Sequence, residues 1–383
     1  MIKLGVIGLG NRIRNGVMPS LLKYSDEFVI TDVYDSHRAL VEEEIAKKES
    51  GYAENINWYD TPEELVEKAE IDGIMIGTRC SSHTNDAILA MKKGVPIFLE
   101  KPVSTSMEDL RRLAEAEKKY NPMVVVSFPL RFSKLSTFSK ELIDSGKIGD
   151  VWQVDAFNDV PYGRVYYHRW YRDEKESNGL WLQKATHDFD YINYILGDKA
   201  DEIFARWVKK IFKGDMPAGL KCTECEKYKT CIESPYVIER NFQDNAYGDM
   251  CCFAVDTGNE DCGSALLKYQ KGTIVSYSQN FFARHKAARR GARFYGFKGT
   301  LEFDWYKSEI KVYPHHTDCV ETYSFSGGGG HFGGDEKLAE LYYNQIKGIE
   351  TKSYLDEGIQ SALMCLLAKE SCETGKNMEI PEI

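Results

Sequence analysis

The first 125 residues repeat one pattern, a short apolar run followed by a longer stretch with helical spacing of its apolar residues. The apolar runs are Lys3–Gly8, Phe28–Tyr34, Asp72–Gly77, Pro96–Leu99 and Met123–Ser127. Between them lie Pro19–Tyr24, Leu40–Glu49, Ala87–Lys93 and Asp109–Lys119, which read as helices. Short buried strands joined by helices form parallel βαβ units. The pattern therefore predicts a doubly wound, Rossmann-type parallel sheet in this half of the chain.

A different period follows. A helix over Ser136–Ser145 ends at Gly146, and aromatic-rich segments then alternate in and out: VWQVDAF, CCFAVD, SALLKYQ, TIVSYSQNFF, ARFYGF, TLEFDW and IKVYP. A period of two with glycine at the turns predicts a mostly antiparallel, open sheet with one wet face and helices on the other. Helices around Lys337–Lys347 and Gly358–Thr374 close the chain. The whole reads as α/β plus α+β, with a dinucleotide-binding domain over 1–125 and a substrate-binding and oligomerisation domain over 126–383. The last helices are free to pack back on the first domain.

The sequence of 383 residues carries a net charge of −10, which gives no bulk attraction for DNA or RNA. No apolar run approaches the roughly 20 residues that span a bilayer. The opening MIKLGVIGLGNRIR breaks its apolar part with glycines and follows it with Arg12 and Arg14, unlike a secretory signal. These features predict a cytoplasmic protein, no membrane or nucleic-acid partner, and ten cysteines that are mostly reduced.

Gly8-Leu9-Gly10 follows the first strand, with Asn11 and Arg12 opening the helix behind it. Glycine there lets the backbone approach a pyrophosphate seated on the helix N-terminus. Ile13 occupies the place of the third glycine of the usual fingerprint. Asp35 ends the second strand, where a carboxylate holds the ribose 2′-hydroxyl of NAD, whereas Arg38 would meet the 2′-phosphate of NADP. Glu100-Lys101-Pro102 stands at the C-terminal end of the fourth run, on the side where ligands of parallel sheets bind, and the proline predicts a bend, with a cis or a trans bond both open.

Together GVIGLG, Asp35, GTRCSSHTNDAILAMKKGVPIFLEKP and NGLWLQKATHDFD resemble the Gfo/Idh/MocA family, which groups glucose–fructose oxidoreductase, inositol dehydrogenase and rhizopine-catabolism enzymes. The resemblance extends through RFSKLSTFSKELIDSGKIGDVWQV and GFKGTLEFD to a glycine–histidine loop before the last helices, so it covers nearly the whole chain. It implies an NAD(P)-dependent oxidoreductase that moves hydride between nicotinamide and a secondary carbinol of a carbohydrate, and a homodimer or homotetramer. It further implies that His187 is the general base, a task its ordinary pKa near 6.5 suits, with Lys101 stabilising the alkoxide. Thr78, His83, Glu100 and Lys101 would lie along the cofactor, although His83 reads equally well as a plain loop residue. Gln183, His187, Asp190 and His331 would meet the sugar. Arg131 would hold the substrate or pair with an acid.

The chain departs from the family at Gln183, where an Asp is usual four residues before the histidine. An amide cannot take a proton, so Lys101 with His187 would carry the proton path, and the neighbouring Lys184 would orient substrate or share the acid/base role. That departure leaves open a second chemistry, NAD-dependent glycosidase or lyase action by transient oxidation and elimination. A non-catalytic nucleotide-binding regulator is the third reading.

Other motifs have open alternatives. Tyr162, His168, Arg169, Trp170 and Arg172 in PYGRVYYHRWYR suit a sugar ring or a packed edge strand. Cys222, Cys225 and Cys231 in KCTECEKYKTCIES suggest a structural zinc, which needs a fourth ligand, or free thiols. Arg284 to Arg293 make a basic run that reads as a phosphate site or a solvated turn. The loop from Gly327 to Gly330 leads to His331, expected on a substrate hydroxyl, and to Asp335, expected to cap the next helix.

Overall fold

The computed structural model describes residues 1–47, 53, 55–326 and 330–383. They form two compact units, each built from separated pieces of chain: 1–137, 327–363 and 383 in one, and 138–326 and 364–382 in the other.

The first unit holds a six-stranded, all-parallel sheet made of β1 (Ile2–Ile7), β2 (Phe28–Tyr34), β3 (Asn57–Trp58), β4 (Gly73–Ile76), β5 (Ile97–Leu99) and β6 (Val124–Val126). Its order is β3-β2-β1-β4-β5-β6. The order reverses between β1 and β4, and the crevice beyond the carboxyl ends of those two strands is where this topology binds its ligand. Leu4, Val6, Met75, Phe98 and Val125 are buried in one core cluster, and the alternate positions Ile74, Ile76, Ile97, Leu99, Val124 and Val126 are buried as well, the double burial that makes parallel strands near-continuous apolar runs. Leu338, Leu341 and Tyr342 of the late helix Gly334–Ile346 join this core, and the Tyr342 hydroxyl donates to the Ile74 carbonyl at 3.0 Å. The expected helix Leu40–Glu49 is found over Arg38–Ala46, and the end of that expectation lies outside the described residues.

The second unit holds a nine-stranded sheet with order β14-β13-β12-β11-β7-β10-β9-β8-β15. Its strands are β7 (Val151–Asp159), β8 (Ala200–Val208), β9 (Cys262–Tyr269), β10 (Ile274–Asn280), β11 (Arg289–Gly296), β12 (Gly299–Asp304), β13 (Glu309–Pro314), β14 (Glu321–Ser324) and β15 (Met378–Glu379). Only the β7–β10 pairing is parallel. One face is apolar and covered. Ala265, Leu267, Val275, Tyr277, Ala292 and Phe294 are buried on it, while Phe204, Leu266 and Ile274 on alternate positions are exposed. A helix covers the buried face through Phe189, whose ring lies 5.2 Å from Tyr277; burying a side chain of that size is worth about 1.5–3 kcal/mol.

Two corrections follow. The segment CCFAVD is not a strand. Its backbone is drawn into separate partnerships, Cys251 N–H to Leu220 O at 2.8 Å and Val255 N–H to Met216 O at 3.0 Å, so no ladder forms. The strands β3, β8, β14 and β15 were not anticipated.

Candidate functional site

In the first unit, three turns meet at the carboxyl ends of β1, β4 and β5. The Gly8 N–H bonds to Tyr34 O at 2.8 Å, the Gly77 N–H to Ile7 O at 2.9 Å and the Glu100 N–H to Ile76 O at 3.0 Å. Gly8 has φ of +81°, and a Cβ there would stand 2.6 Å from the Thr78 nitrogen. A Cβ on Gly77 would stand 2.8 Å from Gly8 O and 2.4 Å from the Ile13 side chain. Only glycine allows the two turns to close this tightly, and Ile13, the residue in place of the third fingerprint glycine, packs into that approach. Behind Gly10 the chain is helical over 11–24, so unpaired N–H groups point back at the turn. This is a fitting cradle for a dinucleotide pyrophosphate.

Asp35 lies directly after β2 as expected, and one of its oxygens accepts the His37 N–H at 2.8 Å. Asn11 is exposed and its side-chain oxygen accepts from Asn15 at 2.6 Å. Thr78 is half-buried and donates to Asp86 at 2.6 Å. Burial raises the Asp86 carboxyl to about 6, and the Thr78 hydroxyl opposes that rise. The Lys101–Pro102 peptide is cis, and Lys101 is half-buried.

His83 is not a loop residue. It begins the helix His83–Met91, is 1% exposed, and places Nδ1 2.7 Å from Pro102 O and Nε2 3.2 Å from Thr78 O. Burial holds its pKa below the ordinary value despite those two carbonyls. It braces the turn of Lys101 against the turn of Thr78, so it positions the site without facing it.

Arg12 was expected on the cofactor. Its guanidinium is instead engaged by Glu100, at 3.4 Å, and by Asp335. Asp335 does not cap its helix, whose N-cap is Gly333. Its carboxylate also faces His331 Nδ1 at 2.9 Å, and because a carboxylate only accepts, that nitrogen carries the hydrogen. His331 thus reaches Asp335, where a substrate contact was expected. The preceding Gly327 to Gly329 lie outside the described residues.

Burial pushes the Asp335 carboxyl up, but His331 and Arg12 outweigh it and hold the pKa at about 2, below its ordinary 3.8. A depressed carboxylate stabilises the fold above its unfolded pKa and loses that contribution as pH falls through about 2. Asp335→Asn is therefore expected to cost about 2–3 kcal/mol near neutral pH. The gap to the parent protein in chemical denaturation should close on acidification; a gap constant from neutral pH to about 2 would contradict the ion-pair account.

Arg131 was expected on the substrate or on an acid. It is 5% exposed and pairs with Glu357 at 3.3 Å.

In the second unit, Gln183, Lys184, His187 and Asp190 are all buried on the helical turns Trp181–Ala185 and Thr186–Leu196. Lys184 Nζ donates to the Tyr162 hydroxyl at 2.7 Å. Beside His187, Asp188 is fully buried and receives three hydrogen bonds and a further ion-pair contact. Asn158 Nδ2 (2.7 Å) and Tyr277 OH (2.8 Å) donate to Oδ2 and Arg290 Nε (2.8 Å) to Oδ1, while Arg290 Nη2 lies 2.7 Å from Oδ1 as an ion pair. Burial works against the Arg290 charge, but Asp188 more than restores it.

Sequence reasoning missed this network by counting Arg290 with the basic run. A signal existed, since Arg290 is in phase with Ala292 and Phe294 on the inward face of β11. Elsewhere in the run, Arg289 pairs with Asp159 at 2.5 Å and Arg293 with Glu302 at 3.3 Å.

The aromatic and basic stretch is not an edge strand. It forms short helical turns, and its cations clamp the insertion between β8 and β9: Arg164 pairs with Glu233 (3.0 Å) and Asp244 (2.7 Å), Arg169 donates to Tyr247 O, Arg172 to Cys251 O (2.8 Å), and His168 Nδ1 to Met250 O (2.7 Å).

Cys222, Cys225, Cys231 and Cys251 line a cavity of about 380 Å³ in that insertion. Cys222, Cys225, Cys231 and Cys251 are free thiols, and among the described residues no group of three or more His, Cys, Asp or Glu side chains could hold a metal. Burial pushes the Cys222 thiol up to about 12. The expected structural zinc is therefore corrected to a thiol-lined cavity.

The described residues contain no helix long and apolar enough to cross a membrane. Comparison with known proteins adds the following. The model of an oxidoreductase family with an NAD-binding Rossmann fold, Gfo/Idh/MocA, matches residues 2–128, and the C-terminal domain of the same family matches residues 138–302. YteT of Bacillus subtilis (strain 168), whose name assigns it to the oxidoreductases, is 27% identical over 364 residues, covering 85% of this chain and 84% of YteT. The myo-inositol 2-dehydrogenase of Thermotoga maritima is 28% identical over 209 residues, covering 53% of this chain and 58% of that protein. Levoglucosan dehydrogenase, solved in complex with NADH and levoglucosan, superposes with a TM-score of 0.78 at 16% identity over the full length of both chains, a likeness of fold.

Proposed function

The chain belongs to the Gfo/Idh/MocA family of oxidoreductases, and on that premise we propose that it is an NAD-dependent dehydrogenase oxidising a secondary carbinol of a sugar, glycoside or cyclic polyol. The observation that carries the reading is the closed turn of Gly8, Gly77 and Thr78, with Glu100 and Lys101 at the end of the adjacent strand. Gly8 and Gly10 would seat the pyrophosphate, and Asp35 the ribose hydroxyls, which favours NAD over NADP. When bound, NAD accepts the hydride.

The remaining work falls to side chains. Lys101 donates a hydrogen bond to the carbinol oxygen and stabilises the charge developing on it. His187 takes the hydroxyl proton. Gln183 and Asp190, buried on the same helical turns, orient hydroxyls through hydrogen bonds. The related inositol dehydrogenase and the superposing levoglucosan dehydrogenase support a polyhydroxylated substrate.

With NAD and a true substrate, NADH should accumulate in step with the carbonyl product. A glycoside cleaved with no net NADH would replace this reading with transient oxidation and elimination. Binding of NAD without turnover of any sugar or polyol would replace it with a nucleotide sensor.

A further inference from the structure

Asn259, Glu260 and Asp261 immediately precede β9 and are 0%, 3% and 0% exposed. Each of these polar side chains ends on the backbone of a different segment. Asn259 Nδ2 donates to Tyr166 O at 2.8 Å and to Tyr171 O at 3.0 Å, in the aromatic and basic stretch. Asp261 accepts from the N–H groups of Lys210, Ile211 (2.6 Å) and Phe212 (3.0 Å), where the insertion leaves β8. Glu260 accepts from the Leu180 N–H at 3.1 Å to each oxygen and from the Trp181 N–H at 3.0 Å to Oε1.

Leu180 and Trp181 open the helical run 180–196 that carries Gln183, His187 and Asp190. The Gln183 N–H bonds back to Gly179 O at 3.3 Å, which makes Leu180 and Trp181 first-turn residues. Amides there have no carbonyl inside the helix and need an acceptor from outside. Glu260 is that acceptor. A Cβ on Gly179, where φ is +92°, would stand 3.2 Å from Glu260 Oε2, so the turn into the helix lies against the carboxyl group. The first turn itself, Trp181–Ala185, is π-helical, a rare geometry that is frequent at functional sites. Farther along, Asp188 ties the same helix to the sheet through Asn158, Tyr277 and Arg290. In sequence His187 falls between the two anchors.

A carboxyl group is costly to bury, and a leucine of similar size would serve packing alone. What Glu260 adds is direction, because its two oxygens fit one placement of the two N–H groups. We propose that Glu260 is a positioning residue for the dehydrogenase: it sets the start of the helix that carries Gln183 and His187, and so the placement of the imidazole at the carbinol. This rests on the dehydrogenase reading above. No proton passes through Glu260, which acts through the main chain. Misplacing a reacting group by about 1 Å costs about 10²-fold in rate.

Hydrogen exchange of the whole protein, without cofactor or substrate, tests the anchor. The Leu180 and Trp181 amides should exchange over about minutes to hours in the parent, and about tenfold faster or more in Glu260→Leu. Well below the unfolding temperature, kcat of Glu260→Leu should fall about tenfold or more, with NAD affinity unchanged by calorimetry. Glu260→Gln keeps one acceptor oxygen and should restore part of the rate. Lost stability alone would leave kcat of the folded variant at the parent value. The positioning role is overturned if the two amides are unprotected in the parent, if they stay as protected in Glu260→Leu, or if that variant keeps the parent kcat. Should Glu260→Leu not fold, Glu260→Gln decides: faster exchange with a lower kcat supports the role, and a parent kcat overturns it. A parent protein that forms no NADH from any sugar or polyol, with both amides protected, would instead bring down the dehydrogenase reading and the positioning role with it.

Discussion

Lys101→Met should lower kcat/KM by about 10²- to 10⁴-fold, with NAD affinity unchanged. The ammonium is asked to act only on charge that develops as the carbinol oxygen loses its proton, so its removal should fall on kcat rather than on ground-state binding. The position supports a specific loss. Glu100, one residue earlier, is fixed by its backbone bond to Ile76 and its ion pair with Arg12, and His83 braces the carbonyl of Pro102, one residue later. Met fills the stem of the lysine and leaves those supports intact. His187→Ala should show the same pattern, slow turnover and intact NAD binding, read by rapid kinetics and calorimetry. If either variant keeps near-parent rates on the true substrate, its assignment fails.

The second large effect is on stability. Asp188→Ala should cost about 3–5 kcal/mol, because it leaves Arg290 buried without its counter-charge. The loss also strands the donors of Asn158 and Tyr277 that now end on Oδ2. Denaturant midpoints at neutral pH measure it. The double variant Asp188→Leu with Arg290→Met should recover much of the loss, since replacing both charges with apolar groups removes the stranded one. A single variant that loses less than about 1 kcal/mol would show that the buried charge is compensated elsewhere.

Particular residues show what sequence reasoning reaches. The parallel sheet was legible because double burial writes each strand as an apolar run, as in Ile74-Met75-Ile76 and Val124-Val125-Val126. Asn57–Trp58 was not, since two residues carry no period. The strand β8 opens with Asp201 and Glu202, which mask the alternation of Ile203 and Ala205. At the site, turn glycines and the Glu-Lys-Pro bend were readable as local geometry. Partnerships between distant residues were not: Arg12 with Asp335, Asp188 with Arg290, and Lys184 with Tyr162 depend on how elements pack. The cysteine spacing suggested a metal for the same reason it misled, since spacing does not reveal whether thiols converge.

Deuterium transfer tests the central claim most directly. Sugars and inositols labelled on their carbinol carbons are incubated with NAD and the protein, and the released nucleotide is analysed by mass spectrometry. The account predicts one deuterium in the dihydronicotinamide for each carbonyl product formed. Deuterium that stays in the sugar, or passes to water with no labelled NADH, would contradict it.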